Sequence, residues 1–124
     1  MIRRSLAAIS ILLVTVGVAL ATRQGEEVKL NGYIIDNMCA SAHASELAET
    51  AKGHPTACAT MPSCVKSGYS LVADGKQYKL DEDGNKKVLA LLKATKTKKG
   101  LAVAVEGTLD GDTLKVKKIT ETQS

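Results

Sequence analysis

The stretch Tyr69-Ser70-Leu71-Val72-Ala73-Asp74-Gly75-Lys76-Gln77-Tyr78-Lys79-Leu80 decides how the rest of the chain is read. Strand-forming runs flank Asp74-Gly75, and Asp-Gly supplies the positive φ angles that a tight two-residue turn demands. A β-hairpin is therefore expected here. Downstream, Asp81 to Asn85 reads as a polar loop. Lys86 to Thr97 then carries Val88, Leu91, Leu92 and Thr95 at helical spacing. Lys96, Lys98, Lys99 and Gly100 close that helix, with cations at its negative end and glycine as terminator. Leu101 to Val105 is a near-continuous apolar strand. Leu109-Asp110-Gly111-Asp112 turns the chain, and Thr113 to Ile119 returns it with Leu114 and Val116 inward.

Upstream of the hairpin, Val28 to Ile35 forms a first strand by its period of two, with Val28, Leu30 and Ile34 on one face and Gly32 between them. Residues 36–64 separate that strand from the hairpin. They hold Cys39, Cys58 and Cys64, His43 and His54, Met38 and Met61, and both prolines. Within them, Ser41 to Lys52 is rich in helix formers, and Gly53 and His54-Pro55 end the helix. Pro62 limits the Cys58–Cys64 piece to a turn or one helical turn. The fold expected is mostly β: a five-stranded OB-like β-barrel with one helix between strands 3 and 4, and a short helical Cys/His-rich insertion between strands 1 and 2. An open α+β sheet of the same elements is the alternative.

The start of the chain reads differently. Met1-Ile2-Arg3-Arg4 is basic, Leu6 to Ala21 is apolar, and Ala19-Leu20-Ala21 is a small-residue cleavage pattern before the polar Thr22 onward. Residues 1–21 are read as a secretory signal peptide and residues 22–124 as a single exported domain, periplasmic or secreted. The apolar run is shorter than the roughly 20 residues of a spanning helix, so no stable membrane span is expected after cleavage. Net charge is +4, and it falls to about +2 once Arg3 and Arg4 leave with the signal. Export and the absence of Trp and Phe argue against a nucleic-acid partner. The lysines at 93, 96, 98, 99, 115, 117 and 118 have acids among them and read as a solubilising surface.

Gly32-Tyr33-Ile34-Ile35-Asp36-Asn37-Met38-Cys39 follows the pattern G-x-I-x-D-x-x-C. Cys58, Cys64, Gly68 and Val103-Ala104-Val105-Glu106-Gly107 follow it in turn. In this the chain resembles a family of small exported bacterial proteins of unknown function. The resemblance covers nearly all of the mature chain and implies an OB-like barrel and export. It brings no activity with it.

The chemistry is expected in residues 36–64. Cys39-x-x-x-His43 and His54-x-x-x-Cys58 are spaced i, i+4, which on helical backbone puts both side chains on one face. With Cys64 they offer a metal ligand set of Cys39, His43, His54, Cys58 and Cys64, of a type that suits Zn²⁺. With Met38 and Met61 nearby, the set also suits Cu⁺. Three cysteines in an exported chain equally admit one disulfide and a free thiol. By loop entropy a Cys39–Cys64 bridge would contribute about 3.5 kcal/mol and Cys58–Cys64 about 2.4 kcal/mol. Asp36 is better suited to cap the start of the insertion than to bind an ion.

Thiol redox work lacks a C-x-x-C, and c-type haem lacks C-x-x-C-H. Asp81, Asp83 and Asn85 have calcium-loop spacing, but Lys86 and Leu92 stand where Gly and Glu are needed. No triad, phosphate loop or carboxylate pair points to an enzyme. The sequence thus leads to a non-enzymatic envelope binding protein whose partner is a Zn or Cu ion or an unidentified envelope protein. The rival is a disulfide-stabilised interaction module without metal.

Overall fold

The computed structural model describes residues 25–122, so the expected signal peptide lies outside the described residues. Five strands, β1 (Glu26–Asp36), β2 (Tyr69–Ala73), β3 (Lys76–Leu80), β4 (Ala102–Asp110) and β5 (Thr113–Glu121), form one sheet that closes on itself in the order β1-β2-β3-β5-β4. The hairpin forms as expected, with Ala73 opposite Lys76 and positive φ at Asp74 (51°) and Gly75 (73°). Neighbouring strands run antiparallel except β3 and β5, which pair in parallel through Lys79–Thr113 and Leu80–Leu114.

β1 is long because it serves two neighbours. Residues 26–33 pair with β4, and residues 33–36 pair with β2. Gly32 sits at the hand-over, where a Cβ would be driven into the Val72 carbonyl. Only glycine lets the two backbones approach that closely.

Helix α5 (Glu82–Ala94) lies between β3 and β4. Its start is four residues earlier than the apolar spacing implies, because Asp81 caps it. Asp81 Oδ1 accepts from Gly84 N at 3.0 Å and from Val116 N at 3.2 Å, tying the cap to β5. Asp81 to Asn85 is therefore a helix start and not the expected polar loop. Asn85 is occupied too, since its Oδ1 accepts from Tyr69 N at 2.9 Å. Val88 and Leu92 of α5 join Ile34, Leu71, Leu80, Val103, Val105 and Leu114 in the main core.

The insertion departs most from expectation. It holds four helices, α1 (Asn37–Ala42), α2 (Leu47–Lys52), α3 (Thr56–Ala59) and α4 (Pro62–Ser67), with a 3₁₀ turn at Ala44–Glu46. Helix and strand hence occupy nearly equal shares of the described residues, and the chain is mixed α/β where mostly β was expected. The helix expected over 41–52 breaks at His43 (φ −123°) and Glu46 (φ −127°). The break lets α1 lie against α4 while α2 turns back over β1 and β2.

That cover explains the consecutive apolar residues at the strand ends. Ile34 and Leu71 face the main core. Ile35 and Val72 point to the other side of the sheet, into a second cluster with Ala40 and Ala51. Sheet residues alternate between faces, so a run buried at every position means both faces are covered.

No helix among the described residues is long and apolar enough to cross a membrane. Gly32→Ala should lower stability by about 1–3 kcal/mol, the usual cost of forcing extra volume into a packed site. Urea denaturation followed by circular dichroism would read that loss, and an unchanged midpoint would contradict the close approach.

Candidate metal centre

Asp36 is the last residue of β1 and is fully buried. It is placed by strand pairing, opposite Tyr69 on β2. Its Oδ2 accepts from Cys39 N at 2.9 Å and so caps α1. Its Oδ1 accepts from His54 Nε2 at 2.7 Å, and His54 is its sole ion-pair partner among the described residues. The cap aims the first turn of α1 so that Cys39 returns toward the carboxylate. Cys64, buried on α4, completes the group: ligand atoms of Asp36, Cys39 and Cys64 all lie within 4.8 Å of one another.

Three regions hold this arrangement in place. Asn37 N donates to Gly68 O at 2.9 Å, and Asn37 Nδ2 donates to Ser67 O at 2.9 Å, which locks α1 to the end of α4. Tyr69 OH donates to Ala59 O at 2.6 Å, fixing α3 beneath. The segment carrying His54 is held by the loop before β4, where Gly100 N donates to His54 O at 2.9 Å and Thr56 N to Lys98 O at 2.9 Å. Gly100 has φ 68°, and a Cβ there would meet the Lys52 carbonyl, so the loop can approach only as glycine.

Of the ligands expected from sequence, Cys39 and Cys64 come together, and Asp36 joins them in addition to capping. Cys58 is half-buried and falls outside the group. His54 is held on Asp36, outside the three-donor set. The His54/Cys58 pair is not on one helical face, because Pro55 is extended (ψ 129°) and α3 starts only at Thr56. His43 is exposed and lines a cleft of about 310 Å³ together with Cys39, Glu49 and His54. All three thiols are free in this structure.

Electrostatically the group is anionic. Burial alone would raise the Asp36 pKa, but the Cys39 N–H and the His54 ring outweigh it and hold the carboxyl below the usual 3.8. Burial and then the Asp36 charge push Cys39 up to about 11, and the same two causes raise Cys64. Burial likewise pushes Tyr69 up to about 12, with Asp36 next in effect. A nucleophilic or redox thiol needs the opposite shift. A bound cation would remove the penalty, since a metal deprotonates a coordinating thiol outright. A carboxylate and two thiols are donors for Zn²⁺, and the thiols also suit Cu⁺.

No family model, no curated protein and no solved structure matches the chain.

The shifts fix how stability varies with pH. The Cys39 pKa of about 11 lies above the ordinary 9.0, so its contribution is fully present below pH 9 and is lost as pH rises through about 11. Tyr69 acts with the same sign between 10.0 and about 12. The urea midpoint of metal-free, reduced protein should fall steadily from pH 9 to pH 12, and Cys39→Ser should flatten the lower part of that fall. A flat midpoint in the parent protein would contradict both buried environments.

Proposed function

We propose that this chain is an exported, non-enzymatic binding protein of the bacterial envelope, whose ligand is a Zn²⁺ or Cu⁺ ion held by Cys39, Cys64 and Asp36. The observation that carries this reading is the convergence of two thiols and a buried carboxylate within 4.8 Å, from the end of β1, α1 and α4. His54 then serves as the partner that orients Asp36. Such outer contacts fix ligand geometry and typically affect metal affinity 10–100-fold.

The scaffold is read as an OB-like barrel. In favour of this are the closed order β1-β2-β3-β5-β4, the helix between the third and fourth strands, and the parallel β3–β5 pair. Export rests on the apolar segment of residues 1–21. The family resemblance agrees with both.

One observation favours a second reading. The sulfurs of Cys39 and Cys64 are close enough that a small movement would join them, which makes the chain a disulfide-stabilised module with Cys58 free. Intact mass of the protein from its exported compartment separates the two. Under non-denaturing conditions the metal reading expects one extra metal mass, lost on denaturation to leave three alkylatable thiols. In that case Cys39→Ser and Cys64→Ser each abolish the metal mass, Cys58→Ser keeps it, and His54→Ala weakens affinity by roughly 10–100-fold. A metal-free mass two hydrogens light, with only Cys58 alkylated, overturns the metal reading in favour of the bridge.

A further inference from the structure

Cys39 belongs to two arrangements at once. Inward, its sulfur meets Cys64 and Asp36. Outward, it is half-buried in the wall of the cleft of about 310 Å³, which neither Asp36 nor Cys64 lines. Cys39 is thus the one member of the three-donor group that also faces the cleft. The cleft wall beside it carries His43 and Glu49.

Cys39 and His43 stand four residues apart at the end of α1 and line the same cleft. His43 N donates to Cys39 O at 3.0 Å and so closes the last turn of α1, with His43 as the cap residue outside helical φ. Residues i and i+4 in such a turn lie one above the other on the same face. A thiolate and an imidazole at that spacing are a two-donor site for a borderline or soft ion. Two donors hold an ion weakly, and the remaining coordination positions stay open to water or to a competing ligand. That is what an exchangeable waypoint needs.

Resting on the metal reading above, we propose that Cys39 and His43 form an outer coordination station through which the ion enters and leaves the inner Asp36–Cys39–Cys64 site, so that the ion is cargo and not a permanent structural element. Cys39 stays bound throughout. Moving inward, the ion trades His43 and a bound water for the Cys64 thiolate and the Asp36 carboxylate, and the Cys64 proton passes to solvent; moving outward the exchange reverses, and water or an incoming chelator takes the positions released. No bond to sulfur at Cys39 has to break, which shortens the step. Glu49, an exposed residue of the cleft lining, adds negative charge there and favours approach of a cation.

His43 is exposed, so replacing it leaves the fold intact. The experiment uses the full mature chain, reduced and loaded with Zn²⁺ alone. Equilibrium affinity comes from competition with a chromophoric chelator, and exchange comes from stopped-flow transfer to and from that chelator. The expected result for His43→Ala is unchanged affinity with uptake and release both slowed on the order of ten-fold, which is about 1.4 kcal/mol on the exchange barrier. His43→Cys should restore the rate.

Wild-type exchange rates in His43→Ala overturn the proposal, since His43 is then only a surface residue. Affinity falling together with faster release also overturns it, because His43 is then a ligand of the resident ion. Failure of the unmodified protein to bind Zn²⁺ or Cu⁺ at all is a different result. It removes the underlying metal reading, and the outer station with it.

Discussion

The Asp36 carboxylate is the constraint on which the rest of the insertion depends. It ends a strand, starts a helix and holds a histidine from a segment 18 residues further on. Each of its oxygens has one task. A buried carboxylate without partners would be prohibitively unfavourable, so its presence means that the α1 amide and the His54 ring must both be in position. In this way one side chain couples the closed sheet to a set of short helices that would not be stable alone. Helices of four to six residues gain little from their own hydrogen bonds and take their shape from what they pack against.

The sheet supplies that support by being covered twice. At the end of β1 and through β2 the inner face closes the main core and the outer face receives α1 and α2. Tyr69 illustrates the economy: its backbone pairs with Asp36, its amide donates to Asn85 on α5, and its hydroxyl reaches the α3 carbonyl at Ala59. The metal candidate therefore sits where strand pairing, a helix cap and long-range hydrogen bonds converge. On its outer side His43 is exposed to solvent.

Strands and hairpin were legible in the sequence because local chemistry decides them. Asp74-Gly75 permits only a narrow set of turns, and the alternation of Val28, Leu30 and Ile34 marks a face. The helix boundaries were less legible, because the caps that set them work at a distance. Asp81 caps α5 while also binding the Val116 amide. The single helix expected over 41–52 broke because packing against α4 and against the sheet pulls its two ends in different directions, which periodicity does not encode. In the site, cysteine spacing pointed to the right region but not to the right set. Asp36 reads as a cap, and it is one; that the same carboxylate also faces two sulfurs follows only from the docking of α4. Conversely, His54 and Cys58 share a helical spacing but not a helix. The extended backbone at Pro55 was the local sign of that.

The closed ring also has a temporal side. β1 finds its partner β4 some seventy residues later, and β3 waits for β5. Contacts so distant along the chain form late and slowly, since the loops between them must be closed first. Until then Cys39, Cys58 and Cys64 are equivalent thiols on an open chain, with three ways to pair. The finished architecture distinguishes them by place: one sulfur buried, one at the wall of a cleft beside it, and one half-buried outside the three-donor group. On the proposed readings, the order in which ion, oxidant and last strand reach the chain would decide between the metal-bound and the bridged form.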